Sequence, residues 1–282
     1  MERVRADVLL AERGLAPSRE KAQAQILAGL VYAAGAPVDR PGTKLARDVA
    51  LEVRGDAVPY VSRGGLKLEK ALDVFAVPVA GRVALDIGAS TGGFTDVLLS
   101  RGSVRVYAVD VGYGQLAWKL RQDPRVVVLE RTNARYLTRE SFGDATHKAL
   151  DGRDFLPPDL ATIDVSFISL DRILPAAQSL LEPPGDIITL VKPQFEAGRG
   201  QVGKHGVVRD PAIHQEVIRK VLASASTLGL APSGLTCSPV TGPEGNVEFL
   251  LWLRPLAAAE PLAIEAAITA AMEEAQRLRG AL

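Results

Sequence analysis

The turn Gly88-Ala89-Ser90-Thr91-Gly92-Gly93 separates an apolar run, VALDI, from a helix-like segment, FTDVLL. A strand, turn and helix in that order aim backbone N–H groups at a ligand over the helix N-terminus. Asp110 closes the next apolar run, in AVDVG, where a carboxylate can accept hydrogen bonds from the two hydroxyls of a ribose. Together these residues predict a nucleoside site. The turn departs from the G-x-G-x-x-G spacing of dinucleotide sites, which favours S-adenosylmethionine over a nicotinamide. It also contains G-x-S-x-G, the pattern of a nucleophile elbow, with Ser90 as nucleophile and His205 or His214 as nominal bases. Against a hydrolase, that elbow ordinarily follows several strands, whereas here it closes the first, and no HGG-type oxyanion segment precedes it.

Two more charged residues close apolar runs: Asp164 in TIDVSFISL and Lys192 in ITLVKPQFE. In an open parallel sheet, ligands bind outside the carboxyl ends of the strands, the edge that carries the glycine turn. Asp164 and Lys192 are therefore site candidates, although a charge at a strand end can simply reach solvent. Spacing alone places neither Lys67, on the helix before the first strand, nor Glu248, in NVEFLLWLR, and singly each reads as a surface residue. If Glu248 faces inward it needs a partner, and lysines are the obvious ones. His147, His205 and His214 are too scattered, and cysteine too scarce, for a metal site.

Strand and helix patterns alternate from Val83 onward, with strands near 83–88, 104–110, 126–130, 160–165 and 186–192, and helices near 93–100, 114–122 and 170–181. That alternation predicts a doubly wound α/β sheet, mostly parallel, of the Rossmann-like kind. A helix near 211–228 and an antiparallel pair of strands near 234–240 and 246–254 complete it, the last strand antiparallel. A small α+β module precedes it, with helical patterns at 6–13 and 18–27 and short strands up to Val53. The expected division is residues 1–58, a linker at 59–65, the main domain at 66–256 and a helical tail at 257–282. In the small module Arg3, Arg5, Arg13, Arg19 and Lys21 are a candidate basic face, but Asp7, Glu12 and Glu20 make a salt-bridged, solvated helix pair the alternative. Residues 196–211, with four glycines and basic Arg199, Lys204, His205 and Arg209, read as a substrate lid or an ordinary long loop, and the length and the place at the active edge favour the lid.

The 282 residues exceed one usual core. Thirty-three basic residues balance 33 acidic ones, so an RNA site would have to come from local placement of charge. A single cysteine, Cys237, excludes an internal disulfide and suits a cytoplasmic protein. No uninterrupted apolar stretch reads as a signal peptide or a membrane span.

Several segments resemble the TlyA family of hemolysin A-like ribosomal RNA 2′-O-methyltransferases: SRGGLKL, LDIGASTGGFTDVLL, VDVGYGQLAWKLR, VVVLERTNAR, DVSFISL, LVKPQFEAGRGQVG, GVVRDP and GNVEFLLWL. The stretch RADVLLAERGLAPSREKAQAQILAGLV resembles the small RNA-binding domain named after ribosomal small-subunit protein four, and the rest an FtsJ-like ribose methyltransferase. Two departures stand out: Ala34 takes the place of Asn in the usual Asn-Gly turn of the small domain, and the resemblance runs only to about Arg254.

The resemblance implies a Lys-Asp-Lys-Glu tetrad at Lys67, Asp164, Lys192 and Glu248. It implies an S-adenosylmethionine site formed by Asp86, Gly88, Ala89, Ser90, Gly92, Gly93, Phe94, Asp110, Val111 and Asn133, and RNA contacts from the basic face together with Arg63. Ribosomal RNA or ribosomal subunits are the expected partner, and a monomer the expected state. Lys192 is the candidate base; burial, the sulfonium and Lys67 would depress its pKa, while Asp164 and Glu248 would oppose that shift. A base N-methyltransferase and a membrane-active hemolysin are the alternatives. DVSF lacks the prolines of the acidic-Pro-Pro-aromatic motif used by the first, and the second lacks a strongly basic amphipathic helix.

Overall fold

The computed structural model describes residues 3–27, 29–38, 40–53, 59–198 and 200–280. The expected boundary at residue 58, and Arg199 of the long loop, lie outside the described residues. The N-terminal module consists of β1 (Arg3–Arg5), α1 (Ala6–Glu12), α2 (Arg19–Leu27), β2 (Val31–Ala33), β3 (Ala36–Pro37), β4 (Lys44–Ala46) and β5 (Leu51–Val53). Its own small core gathers Ala6, Leu10, Ala22, Ile26, Val31 and Val38. Ser18 caps α2 as the sequence suggests, its Oγ accepting from Lys21 N–H at 3.2 Å.

The main domain begins with α3 (Gly64–Phe75), β6 (Val83–Ile87), α4 (Gly93–Ser100), β7 (Arg105–Val109), α5 (Trp118–Arg121) and β8 (Val126–Leu129). It continues through α6 (Arg139–Leu150), β9 (Leu160–Ile163), α7 (Leu174–Leu180), β10 (Asp186–Val191), α8 (Pro193–Glu196), α9 (Pro211–Thr227), β11 (Leu230–Cys237), β12 (Phe249–Pro255) and α10 (Ile264–Gly280). The seven strands lie in the order β11-β12-β10-β9-β6-β7-β8. The strands from β6 to β10 are nearly continuous buried apolar runs, as strands covered by helices on both faces must be. Alternation along β6 sends Leu85 and Ile87 into one core with α6, α7, α9 and α10, and Ala84 into the other with α3 and α4.

Two features of this topology build the site. The chain winds from β6 out to β7 and β8 and then returns to place β9 on the other side of β6. A crevice therefore opens between the carboxyl ends of β6 and β9, where ligands bind in such sheets. Secondly, β12 inserts antiparallel between β10 and β11 and pairs Phe249 with Val191. That register carries Glu248 to the edge where Lys192 leaves β10. A local pattern could not have located Glu248, because its position depends on a strand pairing of long sequence separation.

Several boundaries differ from the sequence reading. The helix read at 114–122 is only the single turn Trp118–Arg121, because Gly114 takes φ +71° in the loop before it. The strand read at 234–240 is Leu230–Cys237. Helix α3, the helix before the first strand, starts at Gly64, two residues before the expected start of the main domain at 66, with the Tyr60 ring so close to Gly65 that a Cβ there would lie 2.6 Å from it. The sequence reading contained no α6; its N-terminus is closed by reciprocal hydrogen bonds between Thr138 and Ser141. No helix among the described residues is long and apolar enough to cross a membrane.

Candidate active site

The four residues of the expected tetrad converge at the carboxyl edge of the sheet. Lys192 Nζ lies 2.5 Å from Asp164 Oδ1. Lys67, reaching in from α3, has its Nζ 4.0 Å from Asp164 Oδ2 and 2.6 Å from Glu248 Oε2. The charges thus alternate along one line, Lys192, Asp164, Lys67, Glu248. Both lysines are 8% exposed and Glu248 is fully buried, so each charge depends on its neighbours for what water no longer supplies. Burial would push the Asp164 carboxyl up, but the ammonium groups of Lys192 and Lys67 reverse this and hold it below the usual carboxylate range. Burial likewise opposes the charge on Lys67, and Asp164 and Glu248 more than offset it, so its pKa is raised.

The glycine turn closes one side of this cluster. Gly88 has φ +86°, and a Cβ there would lie 2.3 Å from the Asp164 carbonyl oxygen. Gly93, the first residue of α4, meets Ser62 and Gly65 at the start of α3 just as closely. These contacts explain why glycine is required at both positions. Ser90 N–H donates to Asp110 Oδ2 at 2.7 Å, and Gly112 N–H donates to Oδ1 at 2.6 Å. Ser90 Oγ has Gln115 as its partner, at 3.4 Å, while His214 is buried on α9 with Nε2 paired to the Val208 carbonyl at 3.0 Å. No hydrogen bond joins Ser90 to His205, His214 or any other histidine among the described residues, and the hydrolase reading falls.

Asp86 requires a correction: expected at the cofactor, it is fully buried, accepting from Thr95 Oγ1 at 2.6 Å and from Thr162 Oγ1 at 2.9 Å. Facing the interior of the sheet, it braces the turn from beneath. Burial raises its carboxyl to about 6, which the two threonines only partly counter. Asn133 is exposed and uses Oδ1 to cap the turn at Arg135 N–H, 3.1 Å away. Val111 is 69% exposed beyond Asp110, and Phe94 is buried beneath the turn in the α3 and α4 core. The second half of the long loop is fastened down. Asn246 and His214 hold Val208, and Arg279 of α10 donates to the carbonyls of Arg209 at 2.7 Å and Val208 at 3.1 Å. That half is anchored, which removes it from any lid.

A cavity of about 520 Å³ runs from the turn to Lys67 and Asp164 of the tetrad, lined also by Gly88, Ser90, Gly93 and Gly242 and reaching Ile26 and Arg40 of the N-terminal module. Residues 60–255 match the FtsJ-like methyltransferase family, and residues 4–49 match the S4 domain. The chain is 51% identical over 253 residues to the "16S/23S rRNA (cytidine-2'-O)-methyltransferase TlyA" of Mycobacterium tuberculosis, covering 89% of this chain and 90% of that one. The chain belongs to the TlyA family of FtsJ-like methyltransferases. A second relative, "Putative rRNA methyltransferase YqxC" of Bacillus subtilis, is 55% identical over 249 residues, 88% of this chain and 85% of its own. The solved structure "Putative hemolysin from Streptococcus thermophilus" is similar over 99% of this chain and 98% of its own, with 44% identity and a TM-score of 0.75.

As an FtsJ-like methyltransferase the protein uses S-adenosylmethionine, and the turn suits that molecule. The cavity lies within the size range of small-molecule sites, and the glycines bring backbone to its wall without side chains in between. Asp110 stands at the end of β7, next to β6, as a ribose acceptor should. Asp110, Val111 and Asn133 lie outside the cavity wall, across the ends of β7 and β8.

On the S4 side the basic residues divide. Arg5 and Arg19 both hold the buried Asp7 at 2.9 Å, and Arg13 donates to the carbonyls of Val49, at 2.6 Å, and Arg47. Arg3 and Lys21 are exposed. Arg63 lines the cavity, and its guanidinium packs on Gly29, where a Cβ would lie 2.2 Å from Cζ.

Proposed function

We propose that the protein transfers a methyl group to the 2′-oxygen of a cytidine ribose in ribosomal RNA, acting in the cytoplasm as a monomer, with Lys192 as base. The observation that carries this reading is the interleaved row Lys192, Asp164, Lys67, Glu248 beside the cofactor turn. Bound S-adenosylmethionine supplies the methyl group on a positively charged sulfur that departs as a neutral thioether.

A ribose hydroxyl is a weak nucleophile at neutral pH, so a base must take its proton as the new bond forms. Lys192, in its amine form, takes that proton at Nζ. Lys67 is unsuited to the task, because two carboxylates favour its charged form. Its part is to hold Asp164 ionised. Asp164 in turn orients Lys192, and its negative charge favours a cationic methyl donor nearby. Glu248, buried against Lys67, keeps that lysine in place. Geometry supplies a large share of the acceleration when two reactants are aligned in this way.

Cofactor contacts come from Gly88, Ala89, Ser90, Gly92, Gly93 and Phe94, with Asp110 on the ribose and Val111 and Asn133 at the adenine end. RNA is held by Arg3, Arg5, Arg13, Arg19 and Lys21 of the S4 domain and by Arg63 at the cavity. A 2′-hydroxyl target makes RNA, and not DNA, the substrate.

The test is transfer of labelled methyl from S-adenosylmethionine to isolated bacterial ribosomal subunits, with the product examined by alkaline hydrolysis. An alkali-resistant label in subunit RNA is expected, because 2′-O-methylation removes the hydroxyl that alkaline cleavage requires. An alkali-labile label would indicate base methylation, and no label in either subunit would refute ribosomal RNA as the substrate.

A further inference from the structure

Lys192 has two contacts from one short segment, an ion pair and a hydrogen bond. Its Nζ lies 2.5 Å from Asp164 Oδ1 and donates to Ser166 Oγ at 3.1 Å. The Phe195 ring is its other neighbour, with the centroid 5.9 Å away. The charged groups around it come from three elements: Asp164 after β9, Lys67 of α3 beyond that carboxylate, and Glu248 before β12 beyond Lys67. Lys67 differs in having two carboxylates as its close partners, whereas Lys192 has one carboxylate and one neutral hydroxyl.

A neutral lysine amine has two N–H bonds and one lone pair in tetrahedral directions. With one acceptor, the group still turns about that single hydrogen bond. With the close ion-pair contact to Asp164 beside the hydrogen bond to Ser166, that turning is restricted and the lone pair is left a narrow range of directions. The geometry points to Ser166 as a positioning residue that, with Asp164, fixes the rotation of the Lys192 amine so that its lone pair is available to the ribose hydroxyl. This inference rests on the base role given to Lys192 above.

The segment that carries Ser166 is built to hold a position. Asp164 N–H donates to the Ile87 carbonyl at 3.0 Å, tying the segment to the end of β6. At its other end Ser169 Oγ and Leu170 N–H donate to the two oxygens of Glu196, at 2.5 and 2.7 Å, and that carboxylate is 4% exposed. Between them Phe167 packs on Phe195 with centroids 4.9 Å apart. The Ser166 hydroxyl is thus presented from a span anchored to β6 and α8, as a site group needs if it is to orient another.

Ser166→Ala, Ser166→Thr, Lys192→Ala and the wild type would be compared in labelled-methyl transfer to isolated bacterial ribosomal subunits, measuring kcat, KM for the subunits and kcat against pH. Ser166→Ala is expected to lower kcat about 10- to 100-fold with KM unchanged, the scale of a misoriented catalytic group. Its acid limb should move to lower pH, because the lost hydroxyl bonds the ammonium more strongly than the amine. Ser166→Thr, which keeps the hydroxyl, should restore most of the rate. A wild-type kcat and pH limb in Ser166→Ala overturns the inference. So does a loss confined to KM, which would make Ser166 an RNA contact. Lys192→Ala separates the two levels: if it retains the wild-type rate, the base assignment itself falls, whereas an inactive Lys192→Ala beside an unaffected Ser166→Ala removes only Ser166.

Discussion

Asp7 in the S4 domain and Asp164 at the end of β9 each sit between two cations, but burial is distributed in opposite ways. At Asp7 the carboxylate is fully buried while the side chains of its partners Arg5 and Arg19 are 39% and 53% exposed. At Asp164 the carboxylate is 20% exposed while the side chains of Lys67 and Lys192 are 10% and 9% exposed. Arginine holds its charge under all ordinary conditions, whereas lysine gives up a proton when its surroundings penalise the charge. The first cluster is suited to joining α1 to α2, and the second places proton-exchanging groups at a ligand edge. Similar electrostatics therefore do structural work in one place and allow chemistry in the other, and the difference lies in which partner is taken out of water.

The sharpest way to break this contrast is to make the second cluster resemble the first. Lys192→Arg keeps the positive charge beside Asp164 but removes the base, so kcat for methyl transfer to ribosomal subunits should fall by at least about 10³-fold. S-adenosylmethionine affinity, read by calorimetry, should be unchanged. A variant within tenfold of wild type would show that charge alone suffices. Asp164→Asn comes next: it leaves Lys67 with Glu248 and Lys192 with no carboxylate partner, so it should abolish transfer and destabilise the fold by about 3 kcal/mol in urea unfolding. Retained stability would mean that Lys192 discharges freely once unpaired.

A third carboxylate sharpens the comparison, because the buried Asp86 has hydroxyl partners and, among the described residues, no cation paired with it. Its carboxyl is raised to about 6 in the folded protein against about 3.9 in an unfolded chain. Stability from this residue is therefore full below about pH 4 and lost as pH rises through 6. Asp86→Asn should gain on the wild type across that interval, by up to about 3 kcal/mol, in urea midpoints at pH 4 and pH 7. An unchanging difference between the two proteins would show that Asp86 does not titrate in this range.

Much of the fold was legible because buried parallel strands are apolar runs and their ends are chemically marked. Asp110, Asp164 and Lys192 all stand where such runs stop, and the structure brings Asp164 and Lys192 together. Glu248 was not placeable, since its address is set by the insertion of β12 against β10. Helix α6 carries a readable face, Phe142, Ala145, Thr146, Ala149 and Leu150, at helical spacing. Weakly apolar Ala and Thr, and a cap made of Thr138 and Ser141 without the usual Glu or Gln, kept that signal low. Asp86 was expected at the ligand on the family resemblance, but strand alternation directs it inward to Thr95 and Thr162. Ser166 gave no signal at all, because a serine is informative only once the amine it meets is known.

The smallest effect belongs to Asp7 and bears on whether the two clusters are separable. Burial works against its charge, but hydrogen bonds from Arg5, Gln23 and Arg19 hold its carboxyl well below the usual range. Its contribution is thus present above the unfolded value of about 3.9 and is lost as pH falls through the lower folded value. Asp7→Asn should loosen α1 by about 1–2 kcal/mol at pH 7, read as faster amide exchange at Val8, whose N–H donates to Asp7 Oδ1 at 3.0 Å. The gap from wild type should narrow in thermal unfolding below pH about 4, where the carboxylate of the unfolded chain begins to take up a proton while the folded one does not. Since no proton-exchanging lysine is involved, kcat at saturating subunits should stay within about twofold, the only cost to turnover being weaker docking of the S4 domain. A fall in kcat as deep as that of Asp164→Asn would mean that the S4 domain helps assemble the catalytic edge, and the division between structural arginines and chemical lysines would no longer hold.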